Sequence, residues 1–440
     1  MTQRPRLSVI GTGYLGATHA VCMVELGYDV IGVDVDQAKI DSLRKGVIPF
    51  FEPGLPELLS KHSDSGRLRF TTDYAEAAEF ADVHFICVGT PQKQGQYAAD
   101  LSYVAAAFRS LAPHLNRRAL VVGKSTVPAG TAVRMEKVLL EHAPCKEAEL
   151  AWNPEFLREG FAVEDTLRPD RLVFGVHSEW AEQTLRLAFE PVIEAGTPVI
   201  VTDFATAELV KVAANSFLAT KISFINAMAE VCEATGADVT QLADAIGHDA
   251  RIGRRFLNAG LGFGGGCLPK DIRAFIARAG ELGVDQAVSF LRDVDEINLR
   301  RRTRTIELGL DLLDGSYRGT RVAVLGAAFK PNSDDVRDSP ALDVAAGIGR
   351  RGASVQVFDP EANESARRLH PELSYAGSLD EALTGVDLVM LLTEWQQFRA
   401  MDPARVGELV AQRNLVDGRN VLDPVRWRAQ GWHYRALGRP

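Results

Sequence analysis

With 440 residues, 46% of them hydrophobic and 24% charged, the chain is too long for a single core and too apolar to leave a large part disordered, so two or three ordered domains are expected. A formal charge of -9 offers no positive field to phosphates, which excludes nucleic acid or an anionic membrane surface as the main partner. The longest apolar runs, such as "DLVMLLT" (387–393), fall far short of the roughly 20 residues that cross a bilayer, so no membrane partner is expected.

The N-terminus "MTQRPRLSVIGTG" is basic but enters a strand and a glycine loop at once, without an apolar leader or a small-residue cleavage site, and a cytoplasmic location is expected. The opening unit reads strand "LSVIGTG", helix "YLGATHAVCMVELG", strand "YDVIGVD". Short apolar runs alternating with helical periodicity predict a parallel α/β sheet. "ADVHFICVGTP" and "ALVVGKSTVPAGT" continue the pattern, and their glycine-bearing loops belong at the carboxyl edge of that sheet.

Within the first unit, "GTGYLG" has the spacing Gly11-x-Gly13-x-x-Gly16, follows a strand, opens a helix, and is followed 18 residues after Gly16 by Asp34 at the end of the next strand. That context reads as a dinucleotide site: glycines let backbone N–H groups approach a pyrophosphate, and the aspartate accepts from a ribose 2′-OH. An acid there repels a 2′-phosphate, so the expected cofactor is NAD and not NADP.

From Thr202 to about Asp238 apolar residues recur every three or four positions without proline, which predicts one long amphipathic helix. A second helical stretch is expected from about Val284 to Leu313. Near Arg321 the α/β pattern restarts with "RVAVLGAAFKPNSDD", "SPALDVAAGIGRRG" and "ASVQVFDP", and Asp359 closes its second strand as Asp34 closes the first. The expected architecture is therefore α/β, two Rossmann-like doubly wound domains joined by a central helical domain, with bounds 1–200, 201–315 and 316–440. The second glycine loop lacks the three-glycine spacing, so no second dinucleotide is expected. Its Lys330 and Arg337 fit either an anionic ligand or a solvated basic loop.

The five cysteines, Cys22, Cys87, Cys145, Cys232 and Cys267, form no CxxC pair and no zinc-ligand spacing, so neither disulfides nor a metal site is expected. Only Cys267 sits in a polar, glycine-rich motif, "GLGFGGGCLPKD" (260–271), and Lys270 beside it is expected to depress the pKa of its thiol. Three other segments are too polar and too patterned for core: "KSTVPAGT" (124–131), "WNPEFLREG" (152–160) and "ELVKVAAN" (208–215). Glu155 and Glu159, four apart after a proline, are expected on one face of a short helix, and Lys211 and Asn215 on one face of the long one. Each pair taken singly also fits an ordinary surface pair.

Taken together and in order, "GTGYLG", "VGTP", "KSTVPAGT", "NPEFLREG", "KVAANSFLATKISFIN", "GFGGGCLPKD", "AFKPNSDDVRDSP" and "DGRN" closely resemble the UDP-glucose 6-dehydrogenase family of nucleotide-sugar dehydrogenases over essentially the whole chain. The resemblance implies a two-step, NAD-dependent oxidation of a sugar C6 alcohol to a carboxylate, an N-terminal Rossmann domain, a helical dimerisation middle and a C-terminal Rossmann-like domain that binds the sugar nucleotide. UDP-N-acetylmannosamine or GDP-mannose stands as the alternative to UDP-glucose. It further implies Cys267 as the nucleophile that carries thiohemiacetal and thioester, Lys211 and Asn215 as stabilisers of the oxyanion, Asp271 as a polar partner that helps position water, and Glu155 as base for the hydrolytic water, with Thr126 near the reacting atoms.

For the cofactor the same resemblance points to the loop Gly11, Gly13, Tyr14, Leu15 and Gly16, then to Asp34, Lys39, Thr90, Thr126 and Glu159, and last to Lys270 and Arg337. For the sugar nucleotide it points to Glu155, Phe156, Leu157, Arg158 and Glu159, to Lys211 and Asn215, to the stretch Phe256, Leu257, Asn258, Ala259 and Gly260, and to Gly264, Lys330 and Arg419. The glycines around Cys267 are expected to let the sugar nucleotide and the nicotinamide crowd the thiol. One departure is local: Gly266 stands immediately before the cysteine, where many bacterial relatives carry an aromatic residue.

Overall fold

Four-residue apolar runs bounded by glycine, aspartate or threonine form the strands of the first sheet: β1 (Leu7–Ile10), β2 (Val30–Val33), β3 (Leu68–Thr71), β4 (Val83–Ile86), β5 (Leu120–Gly123), β6 (Glu149–Trp152), β7 (Leu172–Gly175) and β8 (Val199–Thr202). The computed structural model describes residues 4–63 and 65–440, so the first three residues of the basic N-terminal segment lie outside the described residues. The strands run in the order β3-β2-β1-β4-β5-β6-β7-β8, all neighbours parallel except β6 and β7. Side chains alternate across the sheet: Leu7 and Val9 enter one buried layer and Ile10 the other, as period-two geometry requires of a strand covered on both faces.

Strand order reverses between β1 and β4, and in such sheets the ligand crevice opens at the carboxyl ends of those two strands. Gly11 directly follows β1, and "VGTP" (88–91) lies just beyond β4.

The second sheet contains β9 (Arg321–Leu325), β10 (Ser354–Phe358), β11 (Ser374–Tyr375), β12 (Leu388–Leu391), β13 (Asn414–Asp417) and β14 (His433–Ala436), all parallel, in the order β11-β10-β9-β12-β13-β14. That repeats the order of the first six strands of the first sheet, as the two matching strand–loop–helix patterns predict. Asp359 accepts from the N–H groups of Ala327, Ala328, Glu361 and Ala362 and from Trp395 Nε1, so five donors within its own unit consume the carboxylate.

Between the sheets in sequence lie the helices Phe204–Thr235, Val239–Gly247, Leu268–Glu281 and Phe290–Leu312. The first has 32 residues and neither glycine nor proline, so nothing interrupts it. The chain packs as two compact units, one running to Ala214 and including Arg273–Leu282, the other Asn215–Ile272 and Gly283–Pro440. In the second unit Ser223 Oγ donates to Val294 O at 2.7 Å, and buried Arg301 meets Glu230 and Glu233, which joins the long helix to Phe290–Leu312.

Candidate active site

The dinucleotide loop is closed by its glycines. Gly11 has φ +89°, and a Cβ on Gly16 would stand 1.8 Å from Gly11 O, so only glycine permits the turn. Gly13 has open space where a Cβ would point. It also precedes the helix Tyr14–Glu25 with no side-chain cap, which leaves the helix N-terminus and an open cradle to an anion such as a pyrophosphate. Asp34 accepts from Thr12 N at 2.8 Å and Lys39 Nζ at 2.8 Å. Burial alone would raise this carboxyl, but the hydrogen bonds from Lys39 and from the N–H groups of Asp36 and Thr12 outweigh it and hold it below its ordinary value. An ionised acceptor at this place suits ribose hydroxyls, and these residues fit NAD.

At the carboxyl ends of β4 and β5, Thr90 Oγ1 donates to Thr126 O at 2.9 Å, which joins the two expected nicotinamide-side loops. Beneath them Lys124 Nζ donates to Asn153 Oδ1, and Asn153 Nδ2 donates to Val173 O, both at 2.9 Å. Burial pushes the Lys124 ammonium below its ordinary pKa.

The segment that carries Glu155 and Glu159 is not the short helix expected from their spacing: helix begins only at Ala162. The reason is competition for backbone donors, since Glu155 Oε2 takes Leu157 N–H at 2.7 Å and Asp165 takes Arg158 N–H at 2.8 Å. Arg158 also gives its guanidinium to Asp165. Glu155 Oε1 meets Lys211 Nζ at 3.1 Å, and that ammonium lies 5.6 Å from the centre of the Phe156 ring. Glu159 is buried.

In the second unit Asn215 Nδ2 donates to Asp271 Oδ2 at 2.7 Å and Lys270 Nζ to Asp271 Oδ1 at 2.5 Å, so a buried carboxylate holds both an amide and an ammonium. Cys267 is exposed and stands immediately before the helix Leu268–Glu281, whose first turn contains Lys270 and Asp271.

Three of the glycines ahead of the thiol serve the protein's own packing. A Cβ on Gly264 would lie 2.2 Å from Asp338 O, on Gly265 2.8 Å from the Phe329 ring, and on Gly266 2.2 Å from Arg337 Cζ. The backbone of the loop lies directly against residues 329–338, with Gly265 N donating to Arg337 O at 2.9 Å. Arg337 itself is forked onto Asp335, and Lys330 Nζ lies 5.4 Å from the Phe329 ring centre.

Arg419 is partly buried and donates to Leu392 O at 2.7 Å, Gly262 O at 3.0 Å and Phe329 O at 3.2 Å, which ties three loops of its unit together. In the 256–260 stretch Leu257 and Ala259 are core residues packed with Ile225 and Val239, Gly260 N donates to Asn226 Oδ1, and Phe256 and Asn258 are exposed.

Three sequence profiles match this chain in order: the NAD binding domain of the UDP-glucose/GDP-mannose dehydrogenase family over residues 5–193, the central domain of that family over 205–300 and its UDP binding domain over 323–424. The chain belongs to the UDP-glucose/GDP-mannose dehydrogenase family. Among characterised relatives, it is 42% identical to a UDP-glucose 6-dehydrogenase of Rhizobium meliloti over 99% of this chain and 100% of the relative. It is 40% identical to UDP-glucose 6-dehydrogenase TuaD of Bacillus subtilis over 99% and 93%. Of solved structures, a UDP-glucose dehydrogenase from Pyrobaculum islandicum superposes with TM-score 0.91 at 39% identity, covering 100% of this chain and 99% of that one. A UDP-D-ManNAc dehydrogenase from Pyrococcus horikoshii superposes with TM-score 0.86 at 27% identity, covering 99% of each.

Some residues that shape this family site were not singled out by motif. Glu208, one turn before Lys211, is buried and caps the helix Thr131–His142 through Gly130 N at 2.7 Å and Ala132 N at 2.6 Å, so it steadies the end of "KSTVPAGT". Lys124 and Asn153 lay inside quoted motifs but carried no sign of burial. Glu52 lay outside every motif, in "FFEPGL".

Proposed function

We propose that this chain is a cytoplasmic UDP-glucose 6-dehydrogenase that converts the C6 alcohol of UDP-glucose to the carboxylate of UDP-glucuronate with two NAD per sugar. The observation that carries the reading is the exposed Cys267 thiol at a helix N-terminus, four residues before an Asp271 already fixed by Asn215 and Lys270. When bound, NAD supplies the hydride acceptor, one molecule for each oxidation.

Cys267 Sγ adds to the C6 carbon at the aldehyde level, with the proton delivered to the former carbonyl oxygen, and a thiohemiacetal results. Lys211 and Asn215, one turn apart on the long helix, donate to the oxygen that develops negative charge at C6. After the second oxidation, Glu155 takes a proton from water, the water oxygen attacks the thioester carbon, and the thiolate of Cys267 leaves. Asp271 orients that water.

The long helix also supports a homodimer. Phe217, Phe224 and Val231, spaced by seven residues, are about half exposed on one stripe, and a second copy of the chain supplies the apolar surface to cover it. The deciding experiment is a panel of UDP-glucose, UDP-N-acetylmannosamine and GDP-mannose with NAD or NADP, reading NADH per sugar nucleotide consumed. Two NADH per UDP-glucose is expected; one, or a preference for another sugar, overturns the assignment.

A further inference from the structure

Three segments distant in sequence converge on one carboxylate in the first unit. Glu52, 1% exposed, accepts from Gly160 N at 2.6 Å and Ala162 N at 2.7 Å, and the Tyr14 hydroxyl donates to the same carboxylate. Gly160 N also reaches Tyr14 Oη at 2.9 Å, so the phenol both donates and accepts. The Tyr14 ring is further held by Phe50, with centroids 4.8 Å apart. Burial first, and then the neighbouring Glu52 charge, keeps the Tyr14 phenol protonated, the form that can donate.

The three segments have different duties. Tyr14 is the first residue of the helix whose N-terminus forms the pyrophosphate cradle. Gly160 and Ala162 end the loop that carries Glu155 and Glu159. Glu52 belongs to neither and touches both.

We infer that Glu52 is a positioning residue that, through Tyr14, binds the dinucleotide loop and the Glu155–Glu159 loop into one unit, so that ordering the first by cofactor orders the second. The inference rests on the NAD reading above. A buried carboxylate with two backbone N–H partners stabilises the loop whether or not Tyr14 is attached to it. The Tyr14 hydroxyl is therefore the part of the network that can be cut separately, and this distinguishes coupling from a merely structural role.

The test is amide hydrogen exchange on the full-length protein with and without NAD, alongside calorimetric NAD titration, for the parent chain, Tyr14→Phe and Glu52→Gln. In the parent, NAD is expected to slow exchange in a peptide covering 157–164 about tenfold, a typical size for coupling between sites. Tyr14→Phe, held at an NAD concentration that its own titration shows to saturate it, should keep the basal protection of that peptide but lose the NAD-dependent slowing. Glu52→Gln should lose basal protection there as well. Equal NAD-dependent slowing in the parent and Tyr14→Phe overturns the inference, as does NAD binding to the parent without any slowing at 157–164. Failure of the parent to bind NAD at all overturns the functional reading itself, and the inference with it.

Discussion

Lys211 Nζ and Glu155 Oε1 stand 3.1 Å apart, and only 6% and 12% of their side chains reach solvent. A pair this enclosed is worth little net in stability against an apolar substitute, yet losing one partner leaves a charge buried without compensation.

Lys211→Met should therefore destabilise the protein by about 3 kcal/mol. Adding Glu155→Gln in the same chain should recover most of that loss by removing the orphaned charge, while turnover stays abolished in both variants. Thermal unfolding read beside NADH formation checks both halves, and a double variant no more stable than Lys211→Met would contradict the argument.

The cysteines should separate by reactivity. Burial, with lesser contributions from neighbouring carboxylates, pushes the Cys22 thiol up to about 12, and burial does the same for Cys87. Cys267 is exposed at a helix N-terminus. Limiting iodoacetamide at pH 8, followed by peptide mass spectrometry, should modify Cys267 first and abolish activity in proportion; prior labelling of Cys145, which is partly exposed, is the contrary result. Cys267→Ser should fold normally and release fewer than two NADH per sugar.

Asp34 links the stability of the dinucleotide unit to pH. Its carboxyl is held below the ordinary value near ~3.9, so its stabilising interactions are fully present above that pH and disappear as pH falls through the lower folded-state value. The difference in thermal midpoint between the parent and Asp34→Asn should be largest above about pH 4 and shrink below it. At neutral pH the variant should bind NAD at least about tenfold more weakly, with affinity for UDP-glucose unchanged, because a ribose acceptor interacts with one ligand only.

Neighbouring glycines of the Cys267 loop should respond differently to one added methyl group. At Gly264 the obstacle is the backbone carbonyl of Asp338, which cannot move alone, and Gly264→Ala should cost about 2 kcal/mol. At Gly266 the obstacle is the Arg337 guanidinium, the far end of a flexible side chain. Gly266→Ala should keep the parent thermal midpoint while displacing Arg337 from Asp335, and calorimetry should then show weaker NAD binding. Equal destabilisation by both substitutions would refute the distinction.

The two Rossmann units, the dinucleotide loop with Asp34 and the long helix near Phe204–Thr235 were legible because each is a local signal: a period of two or 3.6, glycines at fixed spacing, a run without breakers. Glu155 and Glu159 were misread as helical because spacing alone does not report which backbone donors their neighbourhood consumes. Glu155 and Asp165 take the N–H groups of Leu157 and Arg158, and the helix starts later.

Sequence alone thus determined the family-wide order of motifs, the NAD loop and the cysteine that stands apart from the other four. Tertiary structure decided what surrounds them. Glu52 meets backbone N–H groups more than a hundred residues away, Glu208 caps a helix nearly eighty residues before it, and the glycines before Cys267 are filled by residues 329–338. The physical reason is that both carboxylates meet main-chain N–H groups, which nearly every residue type offers alike, and that a glycine leaves a space whose occupant lies far away in sequence, so only folding reveals which of them meet.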